Sequence, residues 1–339
     1  MAEAHNNNFN LLRLLAALLV WYGHCYALTG AGDAGLGPRP YLAFTQLGVA
    51  IFFIISGYFV TLSYAHRASL VVYFKNRALR IMPALIAVIL LCVFVLGPLI
   101  TTLGLHAYFA ESQTWKYLNS LLIFPLKYDL PGVFQTHPIH AVNGSLWTLK
   151  QEVRLYVIVG LLGCLTLLRP RVMGLLLVCL IGILLYGTLR HAPPEHMLGM
   201  KWGDLHIAVQ LGSLFAAGSL LYLARESVPL NLKGFVLACA LMVASIGMSL
   251  EFGNILFDMG LAYAVIYIGF LPLPLPGSGL GNDYSYGIYL YAFPMQQLTF
   301  ELLGGSHFLR FMAISLCLTV ACAIMSWFLV EKPALRLKH

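Results

Sequence analysis

The sequence predicts an all-α, polytopic transmembrane helical bundle of about ten spans, with both termini cytoplasmic. Three observations lead there. First, 60 % of the 339 residues are hydrophobic, only 10 % are charged, and the mean hydropathy is +0.83. No soluble domain of this size needs so much apolar surface. Second, ten apolar stretches of helical length can be drawn, roughly 9–28, 46–65, 81–103, 152–168, 171–190, 205–224, 233–250, 254–271, 284–303 and 307–330. Third, with the N-terminus inside, eleven Lys and Arg fall in the inner loops and seven, Arg190 among them, in the much longer outer loops. That bias follows the positive-inside rule.

Residues 1–339 are read as one membrane-embedded domain, with no appended soluble domain expected. No basic region precedes the first apolar stretch and no small-residue cleavage site follows it, so it reads as a retained span rather than a signal peptide. The formal charge of +7 suits basic cytoplasmic loops and acidic substrates or membrane lipids. The positive residues form no long stripe, so no nucleic-acid partner is expected. All seven cysteines sit in apolar runs without metal-site spacing and read as small packing residues, without disulfides. His137 and His140 are three residues apart but lack a third ligand with suitable spacing, so no metal is expected.

The first span carries Arg13 and His24, eleven residues apart. At about 100° and 1.5 Å per residue they share a face and stand about 16 Å apart along the axis. Ionisable groups inside a span are costly and usually functional. The face reads as the lining of a polar passage, cationic at one end and able to move a proton at the other. His24 is either a general base or a histidine hydrogen-bonded between helices. In the second span, Ser56-Gly57 allows close helix approach and favours packing over catalysis. No Gly-x-Ser-x-Gly elbow makes Ser56 a nucleophile.

Arg77 and Arg80 share one helical face where the third span enters. They are either a positive-inside anchor or, with Arg13, a clamp for phosphates, since guanidinium forks match phosphate oxygens. The stretch of about 104–151 is the one long hydrophilic segment, and a loop of that length reads as functional or as a lid on the outer side. It closes on Asn143-Gly144-Ser145-Leu146-Trp147-Thr148-Leu149-Lys150-Gln151-Glu152, where Ser145 or Thr148 is expected to cap the fourth span. Glu152 either favours that helix N-terminus or orients His24 or a substrate hydroxyl. Tyr286 and Tyr289 open the ninth span in a tyrosine-rich run suited to packing and sugar stacking. Glu331, before Pro333, pairs with the inner arginines or simply marks a helix end. Asn143, Ser145, Trp147, Tyr286, Tyr289 and Glu331 are thus read as acceptor-site or structural residues.

Taken in order, these pieces resemble the acyltransferase-3 family of bacterial membrane O-acyltransferases. The likeness rests on Arg13 followed by His24, on GVAIFFIISGY, RALRIMP, NGSLWTLKQE and SYGIYLYAFP, and on the closing VEKP. Asn10 and Ala50 stand where many members have an acidic residue. The resemblance implies a multi-pass protein of the bacterial inner membrane. It implies transfer of an acyl group, commonly acetyl, from cytoplasmic acyl-CoA to a sugar hydroxyl on a surface or exported glycan or a lipid-linked saccharide. Acyl-CoA is then a co-substrate, with no permanently bound cofactor. By that likeness His24 is the catalytic histidine, Glu152 a required acid, and Arg13, Arg77 and Arg80 serve the donor. Intramembrane Arg and His also suit a ten-helix transporter or flippase, but the sequence shows no inverted repeat.

Overall fold

The computed structural model describes residues 7–32, 34–67, 69–189, 195–197, 200–272, 282–304 and 307–338. Long helices stand at the ten expected places: Phe9–Thr29, Phe44–Arg67, Leu70–Leu91, Trp147–Cys164, Pro170–Leu189, Trp202–Leu223, Leu232–Ser245, Leu250–Phe270, Ser285–Leu303 and Phe308–Ser326. They are called the first to tenth helices below. Among the described residues, the strands are confined to a two-residue hairpin pairing His196–Met197 with Met200–Lys201. Arg190, counted among the outer basic residues, and the chain ends (1–6 and 339) lie outside the described residues.

Seven of the helical segments are long and apolar enough to cross a membrane, by length and composition. The fourth, seventh and ninth fall short for separate physical reasons. The fourth carries Lys150, Glu152 and Arg154 in its first half. The seventh has 14 residues, about 21 Å of helix against a hydrocarbon core of about 30 Å. The ninth is buried on nearly every side, so it meets other helices rather than lipid and can hold Ser285, Gln296, Gln297 and Thr299 inside the bundle.

Backbone-to-backbone contact organises the centre. A Cβ on Gly57 would lie 2.0 Å from the Phe215 carbonyl oxygen, and one on Gly218 would lie 2.1 Å from the Ile54 oxygen. The second and sixth helices therefore touch through paired glycines, the small-residue packing expected where lipid supplies no hydrophobic drive. Hydrogen bonds reinforce that contact: Thr61 Oγ1 donates to Ser219 Oγ (2.9 Å), which donates to the Gly57 oxygen (3.1 Å). The start of the first helix is pinned to the end of the eighth. Asn8 Nδ2 donates to the Ile268 and Leu271 carbonyls at 2.9 and 2.6 Å, and Phe9 fills the space left by Gly269.

The third and tenth helices each pass through a π turn, Cys92–Leu96 and Trp327–Glu331. Tyr108 donates to the Val93 oxygen in the first of these (3.0 Å), satisfying a carbonyl that the wider turn exposes.

The 104–151 stretch is a packed insertion and not a loose outer lid. Tyr108, Thr114, Tyr117, Ser120, Val142 and Asn143 are fully buried. His137 bridges Gln297 (2.8 Å) and Glu301 (2.6 Å) on the ninth helix, and Gln297 Nε2 donates to the Ile139 and Ala141 carbonyls. Of its ionisable residues His137 ties it down, while His106, Glu111, Lys116, Asp129 and His140 stay exposed. The cysteines are all free. Cys25 and Cys92 pack as expected, whereas Cys164, Cys179 and Cys317 face outward.

Candidate active site

A cavity with about 820 Å³ of empty space, part of it open to the exterior, lies between the first, second, third, fourth and ninth helices. It gathers Arg13, Arg77, Arg80, Glu152, Tyr286 and Tyr289 from the residues singled out in the sequence, together with Ser56 and Thr148. The three-residue spacing of Arg77 and Arg80 does turn both into one space.

The arginines are organised by Asp283, which the sequence reading passed over. Arg80 Nη2 stands 2.5 Å and Arg13 Nη1 3.6 Å from Asp283 Oδ2. Ser285 supplies its backbone N–H (3.2 Å) and its hydroxyl to Oδ1. Burial works to raise the Asp283 pKa, but Arg80 and Arg13 outweigh it and hold the carboxyl below its usual range. The signal available in the sequence was Asp283-Tyr284-Ser285, an acid placed to cap the ninth helix. Arg77 is different. It forms no ion pair among the described residues, its Nε is buried without a hydrogen-bond partner, and its guanidinium lies 5.6 Å from the Tyr156 ring centre. Arg13 and Arg80 lie similarly over Phe59 and Tyr286.

Glu152 forms another wall. Its Oε1 accepts hydrogen bonds from Tyr156 and, at 3.3 Å, from Ser56. It does not touch His24. The second helix thus divides its motif: Gly57 packs, as expected, while Ser56 faces the cavity. Tyr286 donates to the Ile81 carbonyl (3.1 Å). Tyr289 donates to the Ser145 carbonyl (3.0 Å) and stands 2.6 Å from the Thr148 hydroxyl.

The remaining residues lie around this cavity rather than in it. The cap expected from Ser145 or Thr148 comes from Asn143, whose Oδ1 accepts from the Ser145 N–H (3.2 Å) while Nδ2 donates to the Leu290 carbonyl (2.9 Å). A 3-10 turn, Gly144–Leu146, precedes the helix and moves the cap upstream. Ser145 Oγ is buried without a partner, and Trp147 packs on the core. Glu331, 2 % exposed, accepts from Ser326 across the π turn (2.9 Å) and forms no ion pair with the arginines. Asp283 takes that place.

His24 is half-buried and outside the cavity lining. Its ring meets Phe293 edge-on at 5.2 Å between centres, and its Nδ1 is buried without a hydrogen-bond partner. The expected passage along the first helix is closed. Ala17 and Val20, on the face between Arg13 and His24, are 0 % and 2 % exposed. Ala17 packs with Ile288 and Ala323, and Val20 against the Gly48 side of the second helix. The residues that join the two regions are on the ninth helix: Tyr289 lines the cavity, and Phe293, one turn on, covers His24.

The chain belongs to the acyltransferase-3 family: the family model described as an acyltransferase domain matches residues 6–330. It is 30 % identical over 338 residues to a protein named O-acetyl transferase from Shigella phage Sf6, across 96 % of this chain and 95 % of that one. It is also 30 % identical over 363 residues to Nodulation protein 10 of Rhizobium leguminosarum bv. viciae, across 99 % and 95 %. No solved structure matches the chain at a significant level. The protein is therefore an acyltransferase built on a multi-pass helical bundle.

Proposed function

We propose that this acyltransferase transfers an acyl group from acyl-CoA to a hydroxyl of a glycan, with acetyl the group carried, as the name of the phage relative suggests. The observation that carries the reading is the convergence of Arg13, Arg77 and Arg80 on one cavity. Three guanidinium groups suit the phosphates of a CoA donor. Arg77, without an ion pair among the described residues, supplies the uncommitted charge. Family membership favours this chemistry over a transporter with the same intramembrane charges.

In this reading the arginine end faces the cytoplasm of a bacterial inner membrane, by the bias of basic loop residues, and His24 lies toward the outer side. The donor's phosphates stay with the arginines and its thioester advances along the ninth helix. Phe293 turns aside and the thioester reaches His24. The neutral imidazole takes the proton of the acceptor hydroxyl. That oxygen attacks the thioester carbonyl carbon, the carbon–sulfur bond breaks, and the departing CoA sulfur takes the proton from His24. Glu152 acts through Ser56 and Tyr156 to hold the cavity wall against the donor.

The test is acyl transfer across a sealed vesicle. Radiolabelled acetyl-CoA enclosed with the arginine end and surface glycan on the other side should give labelled glycan. Transfer only when both substrates share one side would contradict the proposed sidedness. No acetyl-CoA consumption in any arrangement, with longer acyl donors failing as well, would contradict the acyl-CoA reading.

A further inference from the structure

A second cavity, with about 700 Å³ of empty space, lies across the second helix from His24; its polar lining is Tyr41, Gln46, His206, Gln210, Glu251 and Asn254, set among apolar residues. Its place in the bundle is defined by its residues. Gln46 is in the first turn of the second helix, His206 in the second turn of the sixth, and Glu251 and Asn254 in the first turns of the eighth. Arg39 and Tyr41 bond to carbonyls of residues 245–248 just ahead of the eighth helix, so these helix starts share one end of the bundle. His24 belongs to that end too: a Cβ on the adjacent Gly23 would lie 2.6 Å from the Thr45 side chain, one residue before Gln46. The arginines of the first cavity come from the first halves of the first and third helices and meet Asp283 just before the ninth, at the other end.

The two cavities have opposite chemistry. Among the described residues no Lys or Arg lines the second one, so the described lining holds no permanent cation for a phosphate. It presents three carboxamides, an imidazole and one carboxylate. Each carboxamide both donates and accepts, as a sugar hydroxyl does. Two of the amides are also held by each other: Gln210 Nε2 donates to Asn254 Oδ1 (3.3 Å). Among the described residues the Gln210 side-chain oxygen and Asn254 Nδ2 make no further hydrogen bond, so both keep capacity for a ligand. The sixth and eighth helices are otherwise apolar enough to span a membrane, where polar groups are costly unless they serve a passage or a ligand.

We infer that this cavity is a binding site for a neutral, hydroxyl-rich saccharide and holds the acceptor glycan while one of its hydroxyls is offered at His24. The second half of that statement rests on the proposed acyl transfer to a glycan; the binding itself does not. Two readouts separate them. Saturation-transfer NMR on the full chain in nanodiscs, with neutral gluco-, manno- and rhamno-configured tetrasaccharides and with surface glycan as probes, measures binding alone. Wild type should show saccharide signals that Asn254→Ala and Gln210→Ala reduce at least fivefold, while inorganic phosphate gives none at this site. In the transfer assay the same variants should raise the half-saturating glycan concentration about tenfold, a shift worth about 1.4 kcal/mol. Their half-saturating acetyl-CoA concentration should stay unchanged. Gln46→Ala, also in the lining, provides a second variant should either amide change impair folding. Saccharide binding equal in wild type and in the folded variants, or none to wild type, would overturn the site. Binding lost in the variants with no transfer by wild type would uphold the site and overturn the acyl-transfer reading instead.

Discussion

Arg80 and Asp283 stand 2.5 Å apart, joining the third helix to the start of the ninth. The pair makes the arginines of the cavity unequal. Removing one partner of a buried ion pair leaves the other uncompensated, at a cost of about 3–5 kcal/mol when fully buried and less here, where both keep some exposure. Arg80→Ala should therefore lower the unfolding temperature as well as donor binding. Arg77→Ala removes a charge with no ion-pair partner among the described residues. It should weaken acyl-CoA binding by about tenfold or more with little change in unfolding temperature. Thermal unfolding and acyl-CoA titration of the two variants in detergent check this; equal destabilisation would contradict it.

The same pair sets a pH expectation. A carboxyl whose folded pKa is depressed contributes stability that is present above its unfolded value, about 3.9, and is lost as pH falls through the lower folded value. Asp283 is such a group. Donor binding should then hold constant from about pH 8 to pH 5 as far as this cluster is concerned. Acyl-CoA affinity of wild type across that range should show only the midpoint at about pH 6 that the donor's own phosphomonoester brings, and a further midpoint that Asp283→Asn removes would contradict the role given to Asp283.

Much of this cavity was legible in the sequence because helical spacing is a strong constraint. Arg77 and Arg80 at three residues had to share a face. Asp283 was not legible because its role depends on the ninth helix returning beside the first and third, a contact that no local pattern reports. Glu331 was the plausible partner by charge alone, and the π turn at 327–331 folds it back onto Ser326. The same limit applied to the first helix. The common face of Arg13 and His24 was readable, but its closure by Ala17 and Val20 depends on which helices pack there. Composition located the ten helices, yet it could not show that His137 and Asn143 bind the 104–151 stretch to the ninth helix.

Phe293 stands between the cavity and His24, and Gly144 is packed against it: a Cβ at 144 would lie 2.7 Å from the Phe293 ring. Phe293→Ala should widen the route, raising transfer of acyl groups longer than acetyl relative to acetyl. Gly144→Ala should press the ring onto its present position and slow transfer of every donor. Rates with acetyl-, butyryl- and octanoyl-CoA check both. An unchanged chain-length profile in Phe293→Ala would show that the donor does not pass this ring.

Gly57 and Gly218 hold the second and sixth helices at backbone contact. Gly57→Val forces them apart, and overpacking of this kind costs about 1–3 kcal/mol. The variant should unfold at lower temperature in detergent. Ser56→Ala, one residue away but facing the cavity, should leave the unfolding temperature nearly unchanged while weakening acyl-CoA use. Reversed outcomes would mean that the division of this motif between packing and site is wrong.

The most direct measurement is transfer of label from acetyl-CoA to glycan by wild type and His24→Ala, in matched vesicles with equal amounts of folded protein. Loss of a general base lowers rates by about 10²–10⁴-fold. Transfer by His24→Ala should fall by at least that lower bound, while its acyl-CoA binding, which depends on Arg13, Arg77 and Arg80, stays within about twofold of wild type. Near-normal transfer by a well-folded His24→Ala protein would contradict the assignment of the proton-transfer step to His24.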